Sequence, residues 1–393
     1  MNILYVHYGD DGLRGSEQCL LNLLENCEQM KVTPVVWTNN LSLCQTAERL
    51  AIKTIFSEFS VLLGWQKPRW NFVAAYKQVQ QGVDLIKQHK IDLVHCNSAA
   101  PTQWMQIACK RCNTKLLTHL HAPYPLRDRL TLGIANADKI VCVNDQIALQ
   151  CFDDGVHPDR VTQISNGLDL SKQTQRFPMN LKQQLGIKNQ KKLLITVASL
   201  QQEKGVDLCI QALAKVNSQQ TVHLAIVGEG PERDQLMGLA KSLNIAQRIH
   251  FLGASDIVPS LLHANVDGFI CGSRAESFGL AIAEAMLAKC PVVAPKVGGI
   301  PMLVKHQQTG LLYQAQDTAA FAEAIELLIE FPAQGKQRVE LAYQHVRDNF
   351  SMDQHIQRFL TCYQNLLADS KDKANKLWPA YMRLFKLMCK VTA

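Results

Sequence analysis

Short runs rich in β-branched residues alternate with longer amphipathic stretches along the chain, and this alternation constrains the fold most. Runs of this length predict β-strands, and the amphipathic stretches between them predict helices. Strands that alternate with helices are typical of parallel α/β architecture. We predict strands at Ile3–His7, Thr33–Trp37, Leu93–Cys96, Lys115–His119, Lys139–Val143, Leu193–Ala198, His223–Val227, Ile249–Leu252, Gly268–Cys271 and Pro291–Ala294.

The predicted strands fall into two series, which indicates two domains. Residues 167–190 are rich in Gln and Lys and lack apolar periodicity, so a linker is expected there. A chain of 393 residues with 47% hydrophobic residues is long enough for two domains of roughly 100–200 residues, each with its own core. We therefore predict two doubly wound α/β domains, with ligands bound at the carboxyl ends of strands that face a cleft.

Composition excludes several classes of protein. The net charge of +7 is too small to indicate a dedicated nucleic-acid binder. The first seven residues resemble a strand and not a signal peptide, and no apolar run reaches about 18 residues, the length of a membrane span. Thirteen cysteines, an odd number, suggest reduced thiols and a cytoplasmic location. The pair Cys109-Lys-Arg-Cys112 lacks the second pair that a zinc site needs.

Two glycine-containing loops could bind phosphate at a helix N-terminus. The loop from Gly9 to Glu17 follows the first strand, where free N–H groups and the helix dipole would favour an anion. A flexible turn with Ser16 as the N-cap explains this loop equally well. The turn Gly228-Glu-Gly-Pro231 carries a proline suited to a helix start and is individually weak evidence.

The segment Ser273-Arg-Ala-Glu276-Ser-Phe-Gly-Leu280 is more informative. Ser273 and Glu276 fit a capping box before an apolar helix. A capping box leaves Glu284 unexplained, because this residue lies among apolar neighbours where a carboxylate without partners is costly to bury. A ligand whose hydroxyls contact Glu284, or an ion pair within the protein, would offset that cost.

Glu276 and Glu284 have seven residues between them, which resembles the E-x7-E motif of the retaining family-4 glycosyltransferases with the GT-B fold. Other motifs of that family follow in the expected order over the chain to about residue 365. They are Asn166-Gly-Leu-Asp169, Glu203-Lys-Gly205, Gly228-Glu-Gly-Pro231, Phe251-Leu-Gly253, Val297-Gly-Gly-Ile-Pro301 and Thr309-Gly-Leu-Leu312. The resemblance implies an N-terminal, acceptor-side domain at 1–170, a linker at 171–190, a donor-binding domain at 191–350 and a crossover helix at 351–369.

The resemblance also implies a donor site for a nucleotide sugar. Glu276 would contact the sugar hydroxyls, Glu284 would hold the ribose, and Lys204 would neutralise charge on the departing nucleoside diphosphate. Further donor contacts are expected at Gly15, Ser199, Gly228, Phe278, Gly279 and Leu280. The family usually has an arginine where this chain has Ser199, so half of the phosphate clamp is missing unless Arg14 or Arg274 replaces it.

On the acceptor side, the resemblance points to the histidines of Thr118-His-Leu-His121. His121 is similar to the family's histidine near the reacting sugar, although His119, two residues away, is an alternative. Gly12, Arg14 and Glu17 of the first loop are expected to approach the acceptor.

The expected chemistry is hexosyl transfer with retention by front-face substitution. The leaving phosphate would help to deprotonate the acceptor hydroxyl, so no carboxylate nucleophile is required. The chain shows no Asp-x-Asp motif at a fitting strand end, so we expect no metal and no cofactor apart from the donor substrate.

Residues 370–393 predict a basic amphipathic helix. This segment carries six Lys or Arg and one Asp, a net charge of +5, so the rest of the chain holds only +2. A helix with an apolar arc opposite basic residues suits an anionic membrane surface. It could equally pack on the first domain with its lysines solvated.

The leading hypothesis is therefore a cytoplasmic hexosyltransferase on the inner face of the cell membrane. Its acceptor would be a glycan or lipid-linked glycan in cell-surface polysaccharide or lipopolysaccharide synthesis, with no nucleic-acid partner. A sugar-nucleotide epimerase of GT-B shape is one alternative. A degenerate nucleotide-sugar-binding module is another, and Ser199 is the residue that favours it.

Overall fold

The computed structural model describes residues 1–65, 69–171, 177–217 and 221–369, which form two compact units. Of the described residues, the first unit combines Met1–Ser165 with 355–369, and the second is Asn166–Gln354. The amphipathic helix predicted at 370–393 lies outside the described residues. Within those ranges, no helix has the length and hydropathy to cross a bilayer.

The first unit is built on a seven-stranded parallel sheet with the order β3-β2-β1-β4-β5-β6-β7. Its strands are β1 (Asn2–His7), β2 (Thr33–Thr38), β3 (Lys53–Phe56), β4 (Leu93–Cys96), β5 (Lys115–Leu120), β6 (Lys139–Cys142) and β7 (Val161–Gln163). Its helices are α1 (Gly15–Glu25), α2 (Leu41–Arg49), α3 (Phe72–Gln88), α4 (Thr102–Cys112), α5 (Leu126–Thr131) and α6 (Asp145–Asp153). The strand order reverses between β1 and β4, which makes this the switch point of the sheet.

The second unit repeats this winding on six parallel strands with the order β10-β9-β8-β11-β12-β13. Its strands are β8 (Lys192–Val197), β9 (Val222–Val227), β10 (Ile249–Gly253), β11 (Gly268–Ile270), β12 (Val292–Pro295) and β13 (Leu311–Tyr313). Its helices are α7 (Leu181–Gln184), α8 (Val206–Lys215), α9 (Arg233–Ser242), α10 (Val258–Leu262), α11 (Leu280–Leu287), α12 (Ile300–Leu303), α13 (Thr318–Glu330) and α14 (Pro332–Phe350). Here the switch point lies between β8 and β11.

The last helix, α15 (Met352–Ala368), carries the chain back to the first unit. Phe359 and Tyr363 of this helix are fully buried. The Tyr363 hydroxyl lies 2.8 Å from Nδ1 of His95 on β4. The C-terminal helix predicted at 351–369 is therefore present and contributes to the core of the first unit.

Local sequence signals explain where several helices begin. The side chains of Asn40, Asn71, Asn144 and Asn180 each accept a hydrogen bond from the backbone three residues on. Such N-caps stabilise a helix by about 1 kcal/mol each, because they satisfy an N–H group that has no partner within the helix.

All of the predicted strands are present, with ends that differ by one residue at most. The strands β3, β7 and β13 were not predicted, and all three lie at sheet edges. Residues 171–190, predicted as a linker, include helix α7, and Leu181 and Ile187 are buried in the core of the second unit.

Gly205 lies where two backbone segments of the second unit touch. Its φ is +58°, and a Cβ atom there would lie 2.0 Å from the carbonyl oxygen of Gly272. We predict that Gly205→Ala lowers the free energy of unfolding by more than about 3 kcal/mol, because backbone must move to admit the methyl group.

Gly186→Ala is the matched control, because Gly186 has a φ of +66° and no atom would lie within 4 Å of its Cβ. It should cost only about 1 kcal/mol for the left-handed backbone. Urea unfolding of both variants measures the difference, and equal losses would contradict the steric explanation.

Candidate active site

The switch point of the first sheet gathers polar side chains at the carboxyl ends of three neighbouring strands. His7 ends β1, Asn97 follows β4, and His119 and His121 lie at the end of β5. Because β1, β4 and β5 are adjacent in the sheet, their ends meet at one edge. Open α/β sheets bind ligands at such an edge.

These side chains form a continuous hydrogen-bonded chain from His121 to Glu17. Nε2 of His121 lies 3.1 Å from Oδ1 of Asn97, and the Asn97 amide nitrogen lies 3.1 Å from Nδ1 of His7. Nε2 of His7 lies 2.8 Å from Oε1 of Glu17. With the amide assigned this way, His121 donates from Nε2 and His7 donates to the carboxylate, so each ring is held in one tautomer.

Glu17 is a buried carboxylate that also caps helix α1. Its Oε2 accepts hydrogen bonds of 3.0 Å from the backbone N–H of Arg14 and from the Ser16 hydroxyl. Burial raises the pKa of Glu17, but the bonds from His7, the backbone and Ser16 outweigh this effect and lower the pKa to about 2. The alternative with Ser16 as N-cap is wrong, because Arg14 occupies that position.

The geometry distinguishes the two candidate histidines. His119 is fully buried, and neither of its ring nitrogens has a hydrogen-bond partner in the described structure. His121 is partly exposed, and its ring centroid lies 4.0 Å from that of His119. Burial and the nearby His7 lower the pKa of His121 to about 3, so its ring is neutral at pH 7. His121 thus differs from His119 in its partial exposure and in its bond to Asn97, although its Nδ1 is also buried without a partner in the described structure.

A sulfur atom lies beside these two rings. The possible ligand atoms of Cys19, His119 and His121 all lie within 4.8 Å of one another, a grouping that could hold a metal ion. The pair Cys109 and Cys112 lies on helix α4, and all twelve cysteines of the described ranges are free thiols. The expectation that the reaction needs no metal stays a prediction.

The glycine-containing loop before α1 leaves room at its tip. A Cβ atom at Gly12 or Gly15 would have no atom within 4 Å, so the backbone at both positions borders open space. The Arg14 side chain is exposed and lies 3.9 Å from Asp10. At the base of the loop, a Cβ atom on Gly9 would lie 2.7 Å from both His7 and Glu17, so only glycine fits over that pair.

The switch point of the second sheet brings Lys204 and Glu276 together. Lys204 follows β8, Glu276 follows β11, and Nζ of Lys204 lies 2.7 Å from Oε2 of Glu276. Both side chains retain partial exposure. A cation that can face phosphate and a carboxylate that can face sugar hydroxyls are therefore adjacent at the edge where a ligand is expected.

Ser199 and Gly228 lie at the ends of the neighbouring strands β8 and β9. A Cβ atom on Gly228 would lie 1.9 Å from the carbonyl oxygen of Ala198, so these two turns are in direct backbone contact. Ser199 is exposed at this contact.

Arg274 does not replace the arginine that is missing at Ser199. Its guanidinium donates two hydrogen bonds to Asp207, of 2.8 and 2.6 Å, and a third of 2.7 Å to the Gln202 carbonyl. These bonds attach Arg274 to the segment that carries Lys204, so its guanidinium group is already paired within the protein.

Helix α11 begins at the predicted phosphate-binding residues. Phe278 is buried against Phe350, Gly279 has a φ of +98°, and Leu280 is the first residue of the helix. The first N–H groups of a helix have no partner within it and so can bind an anion.

Glu284 lies one turn into α11 and is half-buried. In the described ranges its carboxylate has no hydrogen-bond or ion-pair partner, so the predicted alternative of an ion pair finds no partner there. Burial raises the pKa of Glu284 from 4.5 to about 7. An unpartnered carboxylate at this edge is suited to accept hydrogen bonds from a ligand.

Sequence reasoning missed His7 and Asn97, which complete the hydrogen-bonded chain. Both are polar residues at the ends of predicted central strands, and both are almost fully buried. Strand order was the missing information, because only adjacency of β1, β4 and β5 shows that these ends meet.

Two family models match the chain. The model described as Glycosyltransferase Family 4 matches residues 13–172, and the model described as Glycosyl transferases group 1 matches residues 179–345. Each model falls almost wholly within one of the two units.

Three individual proteins illustrate these similarities. The chain is 28% identical over 320 residues to N-acetyl-alpha-D-glucosaminyl L-malate synthase of Bacillus anthracis, which spans 78% of this chain and 82% of that relative. It resembles Anabaena HepE, solved in complex with UDP, with a TM-score of 0.77, 24% identity and coverage of 93% and 100%. It also resembles the lipopolysaccharide outer core galactosyltransferase WaaB, with a TM-score of 0.77, 17% identity and coverage of 93% and 99%.

The depressed pKa of Glu17 predicts a specific pH dependence of stability. The carboxylate contributes fully above its ordinary pKa of 4.5, and this contribution is lost as the pH falls through 4.5 towards 2. Glu17→Gln should therefore lower the free energy of unfolding by about 2–3 kcal/mol at pH 7, and by less than half as much at pH 3. Glu25→Gln, at an exposed position on the same helix, should change it little. A loss for Glu17→Gln that is equal at both pH values would contradict this account.

The raised pKa of Glu284 predicts a pH dependence of stability opposite to that of Glu17. Because its pKa is raised from 4.5 to about 7, the folded protein holds a proton that the unfolded chain releases, so stability falls as the pH rises through this window. Glu284→Gln should raise the free energy of unfolding by about 2 kcal/mol at pH 8 and by much less at pH 5. Thermal unfolding at the two pH values, with the exposed Glu323→Gln as control, measures this. A destabilised variant at pH 8 would show that Glu284 has a structural partner.

Proposed function

Because this chain belongs to the two-domain glycosyltransferases of the family-4 and group-1 type, we propose that it moves a hexosyl unit from a nucleoside-diphosphate sugar to a glycan or lipid-linked glycan, with retention at the anomeric carbon. The observation that supports this proposal is the set of charged side chains at the carboxyl edge of the second sheet. There, Lys204 and Glu276 form a partly exposed pair, and Glu284 stands half-buried without a partner.

Each of these three residues has a distinct role in donor binding. Glu284 accepts hydrogen bonds from the ribose hydroxyls, which is the partner that its carboxylate otherwise lacks. The N–H groups at the start of α11 bind the diphosphate. Lys204 turns towards the leaving phosphate as charge develops there, and Glu276 is then free to accept hydrogen bonds from the sugar.

The first unit supplies His121 on the acceptor side. Its neutral ring donates from Nε2 to Asn97, so Nδ1, which has no partner in the described structure, is the nitrogen that can accept a hydrogen bond from a ligand hydroxyl. The open backbone at Gly12 and Gly15 admits the acceptor and the donor phosphate, with Arg14 at the rim.

The proposed reaction has no covalent enzyme intermediate. The acceptor hydroxyl attacks the anomeric carbon from the face that the diphosphate leaves, and a leaving phosphate oxygen takes the hydroxyl proton. Lys204 stabilises the nucleoside diphosphate as the bond to the sugar breaks. No carboxylate nucleophile and no metal takes part in this scheme.

The related proteins bear on donor and acceptor. HepE is solved with UDP, which supports a uridine nucleotide as the first donor to test. WaaB is named for a lipopolysaccharide core, which supports a lipid-linked glycan, whereas the Bacillus relative is named for a malate product, which makes a small hydroxy acid the second acceptor to test.

Two alternatives to transfer remain distinguishable by experiment. A sugar-nucleotide epimerase would convert the donor alone. A binding module would bind donor and turn over nothing, and Ser199 in place of a clamp arginine favours it.

We predict that Lys204→Ala, Glu276→Ala and His121→Ala each lower kcat/KM for hexosyl transfer by roughly a hundredfold or more, because each removes a group that contacts the reacting atoms or the phosphate. Release of nucleoside diphosphate, measured with and without acceptor, reports transfer, and proton coupling constants of the product report the anomeric configuration. The control is Lys241→Ala, at an exposed lysine on α9.

An inverted product would overturn retention. Epimerised nucleotide sugar in the absence of any acceptor would establish the epimerase. Donor binding without turnover, or transfer activity that none of the three substitutions alters, would favour the binding module.

A further inference from the structure

The first unit exposes a cluster of large apolar side chains where α3 begins. Trp70, Phe72, Val73 and Tyr76 are 63–67% exposed, and the rings of Trp70 and Phe72 lie 6.0 Å apart. We call these four residues the aromatic patch. Single exposed apolar residues are ordinary, but contiguous large ones mark an interaction surface.

The patch is held by a well-anchored segment. Buried Gln78 accepts a hydrogen bond of 2.9 Å from the Ser60 N–H, and Gln103 accepts one of 2.8 Å from the Leu62 N–H. The Leu63 N–H donates to the Arg69 carbonyl at 2.8 Å. Asn71 caps α3 directly beside the patch. These bonds anchor described residues on both sides of residues 66–68 and at the start of α3.

Charge along the segment that carries the patch has one sign. The sequence contains no Asp or Glu from residue 59 to residue 83. Arg69 and Lys77, on either side of the patch, are both exposed. The nearest acidic residue further along α3 is Asp84, two turns beyond Tyr76, where it accepts a hydrogen bond from Gln80.

The exposed aromatic side chains and the basic residues beside them distinguish between possible binding partners of the patch. Residues 370–393 carry a net charge of +5, so their charge opposes binding to a basic surface. A second copy of the patch would likewise bring Arg69 and Lys77 against themselves. Trp and Tyr are enriched where a bilayer meets water, and basic residues beside them are attracted to anionic headgroups. We propose that the aromatic patch inserts into the interfacial region of an anionic bilayer, with Arg69 and Lys77 contacting lipid phosphates.

The position of the patch links it to the candidate site. Helix α3 follows β3, so its first turn lies at the carboxyl edge of the sheet, the edge that carries His7 and His121. Trp65, just before the patch, packs edge-on against Tyr8 of the β1–α1 loop, with ring centroids 5.7 Å apart. If the proposed transfer to lipid-linked acceptors holds, membrane binding here brings such an acceptor to the acceptor-side loop.

Vesicle co-sedimentation of the full chain tests this proposal without any need for transfer activity. The vesicles contain phosphatidylcholine alone or with 30% phosphatidylglycerol. The patch variant is Trp70→Ser, Phe72→Ser and Tyr76→Ser combined, and it should lower the partition coefficient on anionic vesicles by about tenfold or more. Arg69→Gln with Lys77→Gln should lower it severalfold, and only on anionic vesicles.

The matched control is Leu149→Ser with Phe152→Ser, two exposed apolar residues on α6 of the same unit, which should leave partitioning unchanged. Circular dichroism and thermal unfolding show that each variant is folded.

Partitioning equal to that of the unmodified chain for the patch variant would overturn the proposal and assign any membrane binding elsewhere. A change of oligomeric state without a change in partitioning would also overturn it, in favour of a protein interface. A folded patch variant that binds no vesicles but still transfers sugar to a soluble acceptor separates this proposal from the proposed function.

Discussion

The buried pair between His7 and Glu17 is the interaction on which the candidate acceptor side depends. The carboxylate of Glu17 caps α1, fixes the loop before that helix and orients His7, and His7 orients His121 through Asn97. A buried carboxylate is costly unless several donors satisfy it, and here the backbone, a hydroxyl and an imidazole do so. Removal of one donor would disturb the helix, the loop and the histidine together.

The two units share one strand topology but differ in the polar side chains at their switch points. Both sheets reverse their strand order after the first two connections, and both gather polar side chains at that reversal. In the first unit these side chains form a buried hydrogen-bonded chain, whereas in the second the Lys204–Glu276 pair and Glu284 remain partly accessible. One unit therefore holds a neutral histidine ring in a fixed orientation, and the other keeps charged side chains partly accessible.

Strand content was readable from sequence because the central strands are buried on both faces and so are continuously apolar. The edge strands β3, β7 and β13 were missed since they are short, and β3 and β7 are also half-exposed, so their sequences resemble loops. The family resemblance implied that Lys204 and Glu276 belong to one donor site, and the structure places the two side chains 2.7 Å apart. The partners of Arg274, His121 and Glu17 could not be predicted, because each lies on a segment whose neighbour is set by strand order or loop packing. Residues 171–190 were predicted to be a linker because their few apolar residues show no periodicity. In the structure this interval includes α7, and Leu181 is buried.

The return of α15 to the first unit has a consequence for how the polypeptide is made. His95 on β4 and Tyr5 on β1 both lie against the Tyr363 hydroxyl, so the core of the first unit includes a helix that is synthesised only after the second unit. The intervening residues can complete the second unit while the first still lacks this helix. No single cut can divide the chain into two autonomous fragments, because one fragment would always lack part of its own core.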